Sequence, residues 1–192
     1  MKKCFSLRVY LLVPLLTFLC SHLFAGDKGT APSQDYISCA VITSEHLTTL
    51  QLYQRGVSLD VALSSLPKIN REAKKRVHYI YSLAKKIGIL NAYADINTNF
   101  ARCSTLAYKI HGKPAKDFID YGYYYCAGES KIRYEAILYT DRYMNLEKVI
   151  KKTPDTHIKV AIDYFKLIKN KGILAAFDLT ANNLKSCINN LN

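Results

Sequence analysis

The spacing of apolar residues along the chain predicts α-helices. Between Asn70 and Gly88 the apolar positions are 73, 77, 80, 81, 84 and 87. Intervals of three and four residues place such side chains on one face of a helix. Asn70 is a suitable N-cap and Gly88 can end the helix. This pattern predicts one amphipathic helix over the segment between them.

The same reasoning predicts seven more helices. In residues 35–112 they run from near Tyr36 to Arg55, over 59–65, and from about Leu90 to Ile110. After residue 121 they cover 126–143 and 147–152, then a segment with Thr153 as N-cap and Pro154 at its first position, and a last helix that carries Cys187. The β-prone run 121–125 is the one strand candidate. The chain is therefore predicted to be all-α, with eight helices.

The second half of each helical segment shares one register. When residues 69–103 are shifted by 84 onto 153–187, nine of the 35 positions are identical, whereas ordinary composition gives roughly two. The triplet Gly-Ile-Leu at 88–90 and 172–174 lies 15 residues before Cys103 and Cys187, respectively. Any two amphipathic helices look alike to some degree, but periodicity alone does not align both features. We predict two tandem bundles of about four helices, 35–112 and 122–192, joined by a linker at 113–121.

Residues 1–25 have the layout of a secretory signal peptide. Lys2, Lys3 and Arg8 precede an apolar segment over 9–19, and Ala25 marks a plausible cleavage point. Alternatives are a lipoprotein that uses Cys20 and an uncleaved anchor. Residues 26–34 are predicted to be a flexible lead-in, and no second long apolar segment follows. The expected location is the bacterial periplasm, with secretion beyond the cell as an alternative.

Cleavage after residue 25 leaves four cysteines, and an even number in an exported chain predicts disulfides. Four cysteines allow three pairings. The repeat favours Cys39–Cys103 and Cys126–Cys187, one bond in each bundle. Each bond closes a loop of about 60 residues, for which chain-entropy arguments give a stabilisation of about 4 kcal/mol.

The sequence contains no catalytic motif. The four histidines after the signal peptide are not at metal-ligand spacing, and nucleotide-binding and serine-hydrolase signatures are lacking. With all four cysteines in disulfides, no free thiol nucleophile remains. We expect a protein that is not an enzyme and needs no cofactor or metal.

The chain is basic, with a formal net charge of +12. Removing residues 1–25 removes three positive charges and no negative ones, which leaves +9. A basic cluster is formed in the first bundle by Lys68, Arg71, Lys75 and Arg76, together with Lys74. The cluster predicts an acidic protein partner or an anionic envelope glycolipid, and the alternative is a solvated helix face. Nucleic acid is not expected as the partner of an exported protein.

The second unusual feature is the number of tyrosines, of which the chain contains 15. Most are expected to fill the core. The exception is the run 121–125, because five consecutive aromatic or glycine residues cannot all face inward. We predict a binding surface from Tyr121, Tyr123, Tyr124 and Tyr125.

The signal peptide, the size, the helical content and the framing by Cys39, Cys103, Cys126 and Cys187 resemble those of small disulfide-framed helical periplasmic proteins of proteobacteria. Among these are the periplasmic immunity proteins that block type VI amidase effectors. The resemblance implies inhibition of an envelope toxin or enzyme, or support of a secretion or virulence system. A small-molecule or glycolipid binder with a groove between the bundles is the alternative. No functional residue is transferred by the resemblance.

Overall fold

The computed structural model describes residues 35–65 and 70–191, and its regular structure in these ranges is entirely helical. The predicted all-α class is therefore confirmed. A single turn of 3₁₀-helix, Asp155–His157, precedes the seventh α-helix. The helices are α1 (Tyr36–Gln54), α2 (Leu59–Ser64), α3 (Arg71–Ile87), α4 (Ile89–His111), α5 (Ile119–Tyr143), α6 (Leu146–Lys152), α7 (Ile158–Lys171) and α8 (Ile173–Asn189).

Local sequence signals fix several helix ends. The Asn70 side chain accepts a hydrogen bond from the backbone N–H of Ala73 at 2.8 Å, as its position before α3 predicts. Gly88 separates α3 from α4, and Gly172 separates α7 from α8. Their φ angles are +80° and +83°, a region that glycine enters without the steric cost that a β-carbon brings. Each glycine lets the chain end one helix and start the next within a single residue.

Two predicted boundaries are wrong. The fifth helix begins at Ile119 and not near 126, so residues 121–125 are helical and form no strand. Their tertiary contacts override the β-propensity of tyrosine, because Tyr123 shares a buried helix face with Cys126 and Ala127. Thr153 does not begin a helix but follows the last residue of α6. Its hydroxyl donates a hydrogen bond to the carbonyl oxygen of Val149 at 2.9 Å.

Residues from both halves of the chain, α1–α4 and α5–α8, form one core. Helix α1 packs against α3, α4, α5 and α8, and α5 packs against α4, α6, α7 and α8. A smaller cluster of Ala62, Val77 and Tyr81 lies under α2. The main core is built around side chains without solvent exposure, among them Leu47, Leu50, Ile80, Tyr93 and Ile137.

The structure contains the two disulfides that the repeat favoured. Cys39–Cys103 joins α1 to α4, and Cys126–Cys187 joins α5 to α8. The Cα–Cα distance is 5.8 Å in both. Each bond therefore ties the first long helix of one half to the last helix of the same half.

Buried positions recur at constant spacing. Seven buried positions of α1 (36, 39, 40, 43, 47, 49 and 50) have a buried counterpart in α5 87 residues later. Eight buried positions between 77 and 100 have one 84 residues later, in α7 and α8. Tyr93 and its counterpart Phe177 stack on each other, with ring centroids 5.2 Å apart and planes at 10°.

Candidate functional site

A groove of about 550 Å³ lies between α4 and α5 and reaches Tyr36 at the start of α1. Its walls combine aromatic rings with small side chains. The small residues of α4 and α5 leave the space, and the rings surround it. The aromatic lining consists of Tyr36, Phe100, Tyr108, Tyr124, Tyr125 and Tyr134, and the small lining of Ala101, Ser104, Thr105, Ala127, Gly128 and Ser130.

Three tyrosines of the groove contact one another. The Tyr124 ring meets Tyr36 edge-on at 5.4 Å and lies 6.3 Å from Tyr108, centroid to centroid. The Tyr36 hydroxyl donates to the carbonyl oxygen of Gly112 at 3.0 Å. Burial, and secondarily Tyr124, raises the pKa of Tyr36, so its phenol stays neutral. Mutual packing therefore sets the positions of these three rings in the groove.

Two further rings are accessible to a ligand. Tyr108 and Tyr125 are 50% and 54% exposed, on α4 and α5 respectively. The Tyr134 hydroxyl is held within the protein, 2.9 Å from Oγ1 of Thr98 and 3.1 Å from the carbonyl oxygen of Ala94. Tyr108 and Tyr125 therefore offer their faces to solvent, whereas Tyr134 is fixed by two contacts to α4.

Buried polar atoms without a partner lie in the groove wall. They are Oδ1 of Asn97 and the hydroxyl oxygens of Ser104 and Ser130, considered over the described residues. The Asn97 amide nitrogen donates to the Tyr93 carbonyl at 2.8 Å, which directs its oxygen away from that bond. An unsatisfied buried polar atom costs roughly 1–3 kcal/mol.

The predicted tyrosine surface is divided by the structure. Tyr124 and Tyr125 line the groove, and Tyr121 lies beside Tyr124 with ring centroids 6.2 Å apart. Tyr123 is only 5% exposed and belongs to the core, so it is removed from the predicted binding surface. Helical periodicity explains the division, because consecutive residues of α5 point in directions about 100° apart.

The predicted basic cluster lies apart from the groove walls, on α3. Lys68 falls outside the described residues, and Arg71 is exposed. Lys75 pairs with Glu72 at 2.8 Å, and this pairing lowers the pKa of Glu72. Arg76 pairs with Glu45 of α1 at 2.7 Å. Two of the predicted cations therefore already have a carboxylate partner within the protein.

A polar network between α1, α4 and α8 was not predicted from the sequence. The Nε2 atom of Gln51 donates to Asp178 at 3.1 Å and to Asn182 at 3.2 Å, and Nζ of Lys185 donates to Oε1 of Gln51 at 2.7 Å. The Tyr93 hydroxyl lies 2.7 Å from Oδ1 of Asp178. These residues form no recognisable motif, because their contacts join parts of the chain up to 134 residues apart.

Within 35–65 and 70–191, no group of three or more His, Cys, Asp or Glu side chains is placed to hold a metal ion. The helices in those ranges also lack the combination of length and apolar character that spanning a bilayer requires.

A comparison with protein-family models, with curated proteins and with solved structures finds no match for this chain.

Proposed function

We propose that this chain is an exported, non-catalytic binding protein that acts through protein–protein contact, and that its groove holds a segment of the partner. The observation that carries the proposal is the lining of the α4–α5 groove by five tyrosines. Tyrosine supplies large, rigid contact area at low entropic cost and is enriched among the residues that dominate binding energies. Here the rings are mounted on helices that the two disulfides tie into the core.

We further propose that the two halves are tandem copies of one helical unit packed about a pseudo-two-fold axis. The recurrence of buried positions 87 and 84 residues apart supports this relation. So does the stacking of Tyr93 on Phe177, because equivalent residues meet each other at such an axis. The helix order also recurs, with a long, a short and two further helices in each half.

The two copies also differ at the groove. In the proposed pairing, Ala101, Ser104 and Gly128 correspond to Lys185, Ile188 and Val41. The larger side chains belong to the equivalent contact between α8 and α1, where Lys185 bonds to Gln51. Small residues at the α4–α5 contact therefore open a space that larger ones fill on the other side. A binding site that is present at only one of two equivalent contacts requires such a difference between the copies.

The charge and the signal peptide indicate what kind of partner the groove would take. A net charge of +9 after removal of residues 1–25 favours an acidic protein. Export to the periplasm places the partner in the cell envelope. Inhibition of an envelope toxin or enzyme and support of a secretion or virulence apparatus are both consistent with such contact. A neighbouring gene for an exported hydrolase would favour the first role.

Filling the groove tests the proposal. A β-carbon added at Gly128 has no heavy atom within 4 Å, so Gly128→Leu places a side chain in the groove without a clash at its base. Ser82→Leu, at an exposed position of α3, is the matched control. Immobilised wild-type protein with intact disulfides should capture its partner from a periplasmic extract. Gly128→Leu should reduce capture at least tenfold and Ser82→Leu should not. Equal capture by all three would contradict the proposal.

A small-molecule binding protein is the second candidate. The groove volume lies within the range of about 300–1,000 Å³ that is typical of ligand sites, and three unpartnered polar atoms lie in its wall. Native mass spectrometry of protein purified from its own host separates the candidates. A retained ligand would add a defined mass that Gly128→Leu abolishes, whereas a protein-binding groove would give the mass of the bare chain.

A further inference from the structure

A second exposed surface lies at the corner where α4 ends and α5 begins. We define the corner as residues 106–119. Five of the twelve large hydrophobic side chains that are exposed in the described ranges lie in this short segment. They are Leu106, Tyr108, Ile110, Phe118 and Ile119, with exposed fractions of 38%, 50%, 57%, 66% and 59%. Single exposed apolar residues are ordinary, but such a concentration marks an interaction site.

The same corner is positively charged. Lys109, Lys113 and Lys116 are all exposed, and Asp117 is the exposed acidic residue among them. None of the three lysines forms an ion pair within the part of the chain that the structure describes. On α4, Leu106, Lys109 and Ile110 are three or four residues apart and share one side of the helix. Apolar and cationic side chains therefore lie on the same side of α4 near its end.

We propose that this corner docks onto an anionic lipid surface. Exposed Phe, Ile and Leu interleaved with lysines are typical of segments that lie in a membrane interface, with the apolar side chains among the acyl chains and the cations at the headgroups. A protein partner fits less well, because lysine is depleted at protein–protein interfaces. The corner is held firmly for such docking, since the Tyr36 hydroxyl binds the Gly112 carbonyl oxygen in the connection.

The lipid surface adjoins the partner surface proposed for the groove, and the two share Tyr108. Tyr108 is therefore left unchanged in the test. Phe118 is the N-cap of α5 and makes no side-chain capping bond there. Serine is a favourable N-cap residue, so Phe118→Ser removes the ring and preserves the helix start. Combined with Ile119→Ser, it removes the two most exposed apolar side chains of the corner.

The test measures binding of the disulfide-bonded protein, purified from the periplasm of an expression host, to lipid vesicles. Vesicles of phosphatidylcholine with phosphatidylglycerol in equal parts are compared with phosphatidylcholine alone by co-sedimentation. Wild type should bind the anionic vesicles at least tenfold more tightly. Phe118→Ser/Ile119→Ser should lose that binding, and so should Lys109→Gln/Lys113→Gln/Lys116→Gln. Melting temperatures near that of wild type would establish that both variants fold.

A second lysine triplet controls for overall charge. Lys148, Lys151 and Lys152 are exposed on α6, and their replacement by glutamine removes the same charge elsewhere. That variant should bind within twofold of wild type, as should Gly128→Leu, whose altered groove is not involved. The proposal is overturned if wild type does not prefer anionic vesicles, if the two lysine triplets weaken binding equally, or if the Phe118→Ser/Ile119→Ser variant still binds. Loss of protein capture by the corner variants without any vesicle binding would identify a protein surface instead.

Discussion

At the scale of single residues, Tyr93 is the side chain that most directly links the two halves of the chain. Its ring has no solvent exposure and stacks on Phe177, and its hydroxyl lies 2.7 Å from Asp178 and 2.8 Å from Oε1 of Gln54. Burial, and secondarily the hydrogen bond to Asp178, raises the pKa of Tyr93, so the hydroxyl remains a donor. One side chain thus combines apolar packing with a polar contact across the molecule.

The substitution Tyr93→Phe removes the hydroxyl and its hydrogen bonds but keeps the aromatic ring. Phenylalanine occupies position 177 across the stack, so the ring of the variant should keep its packing. Loss of a hydrogen bond to a charged group should lower the free energy of unfolding by roughly 1.5–3 kcal/mol in urea titrations. Tyr79→Phe, at a position 50% exposed, should change it by less than about 0.5 kcal/mol. A Tyr93→Phe variant as stable as wild type would show that the hydroxyl contacts contribute nothing.

The burial of His46 predicts that the stability of the protein depends on pH. Burial, and secondarily the neighbouring Arg76, lowers the pKa of His46 in the folded protein. Its Nε2 atom is buried without a partner in the described structure. The unfolded chain takes up a proton as the pH falls through about 6.5, and the folded protein resists it. Stability present above that pH is therefore lost as the pH falls toward the folded-state pKa.

Unfolding titrations at about pH 7.5 and about pH 5.5 measure this effect. Wild type should lose stability at the lower pH, and His46→Gln should lose less because its side chain does not titrate. His78→Gln, at an exposed position of α3, should behave as wild type. An unchanged pH dependence in His46→Gln would assign the effect to other groups.

At the scale of elements, α5 contributes residues to the core, carries one cysteine of a disulfide and provides one wall of the groove. It contains two glycines with opposite surroundings. A β-carbon at Gly128 would meet nothing within 4 Å, whereas one at Gly122 would lie 2.5 Å from a methyl carbon of Leu191. Gly122 therefore admits the end of the chain against α5, and Gly128 leaves the groove open.

Alanine at the two positions should have different effects. Within a helix, alanine is favoured over glycine by roughly 0.8–1.0 kcal/mol, so Gly128→Ala should raise the free energy of unfolding by about that amount. Gly122→Ala must displace Leu191, which offsets the gain and should leave it at or below the wild-type value. Chemical denaturation of both variants measures the difference. Equal stabilisation by both would show that Leu191 moves aside freely.

Helix ends were predictable from the sequence where the determining contacts are local. Asn70, Gly88 and Gly172 act on residues within one turn, and the structure places helix ends at each of them. The start of α5 was not predictable, because Tyr121–Tyr125 has strand propensity and becomes helical through contacts with α1 and α4. The signal that was overlooked is the helical spacing from Tyr123 to Cys126 and Ser130, which all lie on one buried face.

The groove was predictable only in part. The tyrosine run indicated a binding surface, and Tyr124 and Tyr125 do line the groove. Tyr36, Tyr108 and Tyr134 were not predicted to join them, because α4 and α5 come together through long-range packing. The available signal for the groove was the set of small residues at 101, 104, 127 and 128. Where two helices meet through small residues and tyrosines flank the contact, a space remains between the rings.

At the scale of the whole molecule, the halves share one core and cannot be separated without exposing it. The disulfides fasten each half internally, and the contacts of α1 with α5 and α8 join the halves. The groove lies at the other inter-half contact, between α4 and α5. A disulfide ties each helix that walls the groove to a neighbour, α4 to α1 and α5 to α8, so binding there should need little ordering of the protein. The central claim is that the partner occupies this groove.

Site-specific photo-crosslinking in the native host tests that claim most directly. A photoreactive phenylalanine replaces either Tyr125 in the groove or Tyr79 on α3, two tyrosines of similar exposure at 54% and 50%. Irradiation should give one discrete protein adduct from position 125 and none from position 79, and adding Gly128→Leu should abolish it. Adducts of equal yield from both positions, or an adduct at position 125 that survives Gly128→Leu, would contradict the account.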